Sequence, residues 1–281
     1  MNLKQFFGIA LIIIFISNII KMQAGELIFG WNLVNPSGKI YDMQFMPDND
    51  YFVLCTATDI QIRSSETGEL VQTYPFGGLR FEFTPDSSRI ILIPTGGETG
   101  RLQLRNIIDW SLIKEYVIPP DNEGFNVSFS ELKVDPIRPY VYVIKSWTKL
   151  LDKYYHFKKI EIYNYETMEF IGKLTSEKDE ELFLQNLAIS KDGKYLAISN
   201  EGQTRLLTWS LDNCTLFRDY LLCKLGGTNG IWGNPSCLKF SEINSNDIYF
   251  AGLFPQSSTE KSIYNGFFKY NITENKITDS T

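Results

Sequence analysis

One histidine, His156, stands in the 281-residue chain. It falls in the segment KLLDKYYHFKK, Lys149 to Lys159. A histidine that activates a Ser or Cys nucleophile needs that nucleophile beside it, and a multi-histidine zinc site needs further histidines. Nothing in the spacing supplies either, so no catalytic residue and no metal ligand is assigned. Two readings of the segment stand side by side. The first is an extended, partly solvated hairpin. The second is a basic and aromatic contact patch, with Lys149, Lys153, Tyr154, Tyr155, His156 and Lys158 facing an acidic partner or an anionic headgroup.

The cysteines are Cys55, Cys214, Cys223 and Cys237. No C-x-x-C pair occurs, which removes the redox motif and the zinc-knuckle spacing. An oxidising compartment permits a bridge between Cys223 and either Cys214 or Cys237. Buried free thiols are the alternative, and Cys55 in YFVLC suits it. Asp48, Asn49 and Asp50 lack the acidic spacing of a calcium loop and read as a turn. Gly96 to Gly100 lacks the Gly-Lys-Ser/Thr of a phosphate loop. Gly226 to Gly233 is the most unusual loop, and Trp232 within it either caps the core or faces a ligand. No cofactor is implied.

The formal charge is −6, from 27 Lys+Arg against 33 Asp+Glu. That balance argues against broad nucleic-acid binding. Hydrophobic residues make up 43%, enough for a substantial core, and 14% aromatics favour sheet.

Residues 1 to 24 are set apart. Lys4 precedes the 15 residues FFGIALIIIFISNII, and Met22-Gln23-Ala24 offers a processing site. This is the layout of a secretory signal peptide, and the apolar run is short of the ~20 residues a span needs. An uncleaved N-terminal signal anchor is the alternative; no later stretch is long and apolar enough to span a bilayer. Without Lys4 and Lys21, the 257-residue body, 25 to 281, carries 25 basic and 33 acidic residues. A secreted or extracytoplasmic location follows, in the secretory lumen or a periplasm. Asn126, Asn213 and Asn271 each head an N-x-S/T sequon, a glycan acceptor in a eukaryotic secretory protein.

The body repeats. Phe45, Phe83, Val134, Ile189 and Phe240 hold equivalent core positions at spacings of 38, 51, 55 and 51 residues. Each unit opens on a short alternating strand (MQF, FEF), followed by a turn such as Pro47-Asp48-Asn49-Asp50 or Lys191-Asp192-Gly193-Lys194. A continuously apolar strand comes next (YFVLC, RIILI, YVYVI, YLAIS, IYFAG). An alternating third strand, a polar turn and a fourth strand close the unit (ELVQTY, SLIKEY, EFIGKL, TLFRDY, KIT). Period-2 alternation means strands with one buried face, and Gly68 and Gly193 suit turns that need positive φ. Four antiparallel strands every 40 to 50 residues specify an all-β propeller.

Phe45 to Val53 and Ile189 to Ala197 resemble the repeats of WD40 and related YVTN or quinoprotein-like propellers. The phrases IQIRSSETGELV and IEIYNYETMEFI resemble the family's Trp-Asp stretch. The chain departs from strict WD40 repeats: Ile62-Arg63, Tyr163-Asn164 and Trp209-Ser210 replace the Trp-Asp pair, and no Gly-His pair opens a unit. Five blades are expected, with a six- or seven-bladed or incomplete ring as the alternative. The segment ELIFGWNLV, residues 26 to 34, is expected to add a closing strand or to belong to a further blade.

The leader, the repeats and the lack of any catalytic constellation in the sequence favour a noncatalytic protein-interaction or scaffold module with a protein partner. The alternative is an enzyme like the lactonase or quinoprotein propellers, with an axial ion or cofactor. Axial carboxylates converging from several blades would favour the enzyme. Oligomeric state is left open.

Overall fold

Among the described residues, each strand pairs antiparallel with a neighbour in sequence. The computed structural model describes residues 39–95, 100–119, 125–150, 154–174, 184–200, 205–221, 234–255 and 263–280. All of them belong to one compact unit, Val34–Thr281. The leader and residues 26 to 34 lie outside the described residues.

Five four-stranded antiparallel sheets follow one another along the chain. The first blade is β1 (Ile40–Phe45), β2 (Tyr51–Thr56), β3 (Ile60–Ser64) and β4 (Leu70–Tyr74). The second is β5 (Gly78–Phe83), β6 (Arg89–Pro94), β7 (Arg101–Asn106) and β8 (Leu112–Val117). The third is β9 (Phe125–Val134), β10 (Tyr140–Leu150), β11 (Tyr154–Asn164) and β12 (Glu169–Leu174). The fourth is β13 (Leu184–Ile189), β14 (Tyr195–Asn200), β15 (Arg205–Ser210) and β16 (Thr215–Leu221). The fifth is β17 (Asn234–Phe240), β18 (Asp247–Pro255), β19 (Ile263–Asn271) and β20 (Lys276–Ser280). The chain is a five-bladed β-propeller. Its first strands approach one another, β1 to β5, β5 to β9, β9 to β13 and β13 to β17, so they line the axis. The fourth strands form the rim.

A single sheet has two faces and cannot bury either alone, so the blades bury each other. The apolar second strands do this with alternate residues. In β6, Ile90 and Leu92 pack toward the first blade with Val53, Cys55 and Phe81, while Ile91 and Ile93 pack toward the third with Leu132 and Val141. Tyr142, Ile144 and Ile160 join the third blade to Leu187, Leu196 and Trp209 of the fourth. Ala197 and Leu206 join the fourth to Phe240, Ile248 and Phe250 of the fifth. Each such side chain, fully buried, contributes about 1.5–3 kcal/mol. Four apolar clusters thus seal four junctions.

The turns repeat with the same bonds. In every blade an amide of the second hairpin turn donates to a carbonyl of the first. The five bonds are Ser65 N to Asp50 O, Ile107 N to Ser88 O, Tyr165 N to Pro139 O, Leu211 N to Lys194 O and Ile272 N to Asn246 O. The residue that closes each second turn is left-handed: Gly68, Trp110, Met168, Cys214 and Asn275, with φ between 53° and 73°. Gly193 also takes positive φ, at 65°. Asp48 is a turn residue, its carboxylate accepting from the Asp50 amide at 3.1 Å.

Candidate functional site

The axis is where chemistry-bearing side chains from different blades meet. Counting back from the five core positions, each inner strand offers two residues toward the axis or the next blade. One set is Asp42, Arg80, Glu131, Asn186 and Cys237. The other is Gln44, Glu82, Lys133, Ala188 and Lys239. The strand registers keep this equivalence, with Gln44 opposite Val53, Glu82 opposite Ile91, Lys133 opposite Tyr142 and Ala188 opposite Ala197.

Neighbouring blades carry opposite charges at these positions. Arg80 Nε donates to Glu131 Oε2 at 3.0 Å. Lys133 pairs with Glu82. Arg80 Nη1 also donates to Tyr41 O at 2.6 Å, and Asp42 Oδ2 accepts from the Phe81 amide at 3.0 Å. Gln44 Nε2 donates to Phe81 O at 2.5 Å. These bonds strap the first three blades together at the axis.

Burial governs the ionisation of this cluster. It raises the Asp42 carboxyl above the usual range, outweighing the Phe81 amide and the charges of Lys133 and Arg80. It raises Glu131 likewise, against the opposing pull of Arg80. Burial also lowers the Lys133 ammonium, with Arg80 and Lys239 adding to that and Asp42 resisting it. Burial pulls Arg80 down too, but Glu131 and Asp42 hold it above its ordinary value. Chemically the arrangement is a set of acid–base pairs that neutralise each other. Among the described residues, no three His, Cys, Asp or Glu side chains gather as a metal-binding group. Among the described residues, the inner strands of the second and third blades carry paired charges at the axis.

The basic segment of the third blade is an elongation of two regular strands. β10 and β11 pair without interruption from Tyr140–Asn164 to Leu150–Tyr154. Trp147 stacks on Phe157 with ring centroids 5.6 Å apart, and Lys159 lies over Trp147. Lys159 also pairs with the buried Glu161 at 3.0 Å. Lys158 Nζ reaches across to Leu184 O at 2.9 Å, on the fourth blade. His156 is exposed, with Nδ1 3.1 Å from Thr148 Oγ1. The backbone alone places Lys149 on β10 and Tyr154 and Tyr155 on β11. Lys153, Trp232 and Cys223 lie outside the described residues. Cys214 and Cys237 are exposed free thiols, and Cys55 is a buried one.

The rim carries an unexpected surface. β4, β8 and β12 each carry, at or next to their start, two adjacent apolar residues about half exposed: Leu70 and Val71, Leu112 and Ile113, Phe170 and Ile171. Ile108, in the turn before β8, is 84% exposed. Tyr74 OH meets Ile108 O at 3.5 Å and Lys114 Nζ donates to Glu166 O, so the three blades adjoin along this belt. The outer strand of the fifth blade has no counterpart, reading Lys276, Ile277, Thr278 and Asp279.

The repeat pattern in the sequence singles out neither the axial pairs nor the belt. The signal for the first was present: opposite charges at equivalent positions 51 residues apart, Arg80 with Glu131 and Glu82 with Lys133. Alternation shows which face a residue takes, but not that two neighbouring faces carry complementary charge.

Among solved structures, a chain titled Kuenenia stuttgartiensis hydrazine synthase is similar to this one. It aligns with a TM-score of 0.59 and 13% identity, over 88% of this chain and 66% of that one. This chain thus spans just under two thirds of that chain's length. In all, 1068 solved chains match, so the shared property is the propeller fold and it selects no activity. No protein-family model and no curated protein matches the chain. The likeness to WD40, YVTN and quinoprotein-like repeats therefore stands at the level of the five-bladed fold. Among the described residues, no helix is long and apolar enough to cross a membrane.

Proposed function

We propose that this chain is a noncatalytic extracytoplasmic propeller, a protein-interaction or scaffold module that docks a protein partner on its rim. Residues 1 to 24 would carry it across or tether it to a membrane. The observation that supports the docking reading is the apolar belt of the first three blades. Exposed apolar residues recurring at the same place on three neighbouring rim strands are the kind of surface that serves interaction in soluble proteins. The test uses the tagged full chain, recovered after chemical crosslinking in its own compartment. The triple substitution Val71→Glu, Ile113→Glu and Ile171→Glu should abolish co-recovery of a discrete partner while leaving the melting temperature unchanged. Unchanged co-recovery would remove the belt from the account.

A second reading, a propeller enzyme like the lactonase or quinoprotein type, draws on one observation. Asp42, Glu131 and Lys133 are titratable groups with shifted ionisation in an axial cluster, and such groups concentrate at active sites. Activity screening of the wild type against Glu131→Gln tests it. A turnover lost in that variant, with the fold intact, would favour the enzyme.

A further inference from the structure

The three sequons occupy very different places in the fold. Asn271 ends β19 and does a structural job. Its Oδ1 accepts from the amides of Thr273 and Glu274 at 3.0 and 2.9 Å. The equivalent residue does the same in three other blades. Ser64 Oγ accepts from Glu66 and Thr67, Asn106 Oδ1 from Ile108, and Asn164 Oδ1 from Glu166 and Thr167. The Asn271 Nδ2 atom is engaged as well, donating to Asp247 Oδ1 at 2.7 Å. Asp247 is 5% exposed and also accepts from Asn244 Nδ2 at 3.0 Å and Lys269 Nζ at 2.8 Å. A sugar on Asn271 would crowd this buried cluster. Asn126 is exposed but sits inside β9 in a left-handed conformation, with Ser128 paired to Ser146.

Asn213 differs from both. It lies in the exposed turn between β15 and β16, and the blade's turn-capping position is taken by Ser210 instead. Its Oδ1 accepts from the Thr215 amide at 3.2 Å and the Thr215 hydroxyl at 2.7 Å. Its Nδ2 has no partner among the described residues. The sequon hydroxyl and the acceptor amide are thus held together, on the surface, with the nucleophilic nitrogen uncommitted.

We infer that Asn213 is an N-glycosylation site of this protein and that Asn271 is not. The inference rests on the extracytoplasmic reading, in a eukaryotic secretory pathway. The co-substrate is a polyprenyl-pyrophosphate-linked oligosaccharide. Asn213 Nδ2 forms a bond to C1 of the first sugar, and the C1–O bond to the pyrophosphate breaks. The pyrophosphate leaves with the electron pair, and Nδ2 gives one proton to a base of the transferase.

The test translates the full chain in the presence of microsomal membranes and scores protease protection, glycosidase-sensitive mobility and the mass of each sequon peptide. The wild type should be protected and carry a glycan at position 213. Asn213→Gln and Thr215→Ala should each lose that one glycan, and Asn271→Gln should lose none. A protected chain with position 213 unmodified, or with a glycan at position 271, overturns the inference alone. A chain left unprotected overturns it together with the extracytoplasmic reading. Peptide masses from the wild type keep the result readable if a variant misfolds.

Discussion

Arg80 and Glu131 hold the same position in adjacent blades, and Arg80 Nε lies 3.0 Å from Glu131 Oε2. The repeat thus places an acid and a base face to face across a blade junction, close to the axis. Glu82 and Lys133 repeat the arrangement two residues further along with the signs exchanged.

Removing one member of this pair should cost more than removing both. Arg80→Ala leaves Glu131 half-buried without its cation, at about 1–3 kcal/mol. The double variant with Glu131→Ala should recover part of that loss. Urea titrations of the four species give the coupling energy, about 1 kcal/mol or more in favour of the pair. A coupling near zero would mean that solvent screens the pair completely.

Much of the fold was legible in the sequence, for physical reasons. Period-2 alternation identified the strands, and the spacing of Phe45, Phe83, Val134, Ile189 and Phe240 gave five blades. Gly68 and Gly193 marked turns with positive φ. Trp110, Met168 and Cys214 adopt the same left-handed conformation without being glycine, so composition could not reveal them. Asp135 caps the turn after β9, accepting from the Ile137 and Arg138 amides at 2.9 and 3.0 Å, and is fully buried. Its carboxylate accepts from Arg138 Nε at 2.8 Å and from Tyr142 OH at 3.1 Å. Its bond to Tyr142, on the neighbouring strand, is the one that the turn pattern does not encode. The axial pairs escaped for the same reason. The basic segment from Lys149 reads as an extended hairpin or a contact patch, and β10 and β11 pair as such a hairpin.

Cys214 has φ of 54° at the position that Gly68 holds in the first blade. Left-handed backbone costs a residue with a Cβ about 1–2 kcal/mol. Cys214→Gly should therefore stabilise the unglycosylated chain by about 1 kcal/mol, offset in part by the greater freedom of glycine when unfolded. Gly68→Ala should destabilise it by a similar amount. Thermal melts of the two variants check both signs.

Asp86 provides a pH dependence. Hydrogen bonds from the Thr84 and Ser88 hydroxyls, helped by the Ser88 amide and Arg89, lower its carboxyl to about 2. A depressed acid contributes stability that is complete above its unfolded value, near 3.8, and lost as pH falls through about 2. Asp86→Asn should then be less stable than wild type at pH 6, and the gap should narrow between pH 4 and pH 2. Denaturant midpoints across that range measure it. A gap independent of pH would mean that the charge contributes nothing.

The two faces of the fifth blade should respond differently to truncation. Phe250 packs at 1% exposure against the fourth blade, whereas Phe267, on the other face, is 45% exposed. Phe250→Ala is expected to cost about 3–5 kcal/mol. Phe267→Ser should stay within about 0.5 kcal/mol, the range of ordinary surface changes. Equal losses would mean that the exposed face is covered in solution.

The central claim is that the apolar rim of the first three blades receives a protein partner. A photo-crosslinking amino acid at position 113, on β8, compared with one at position 278, on β20, tests it most directly. Both variants are made in the full chain and irradiated in the compartment where the protein resides. The account predicts a discrete crosslinked species from position 113 and none from position 278. No crosslink from position 113, or the same crosslinks from both positions, would contradict it.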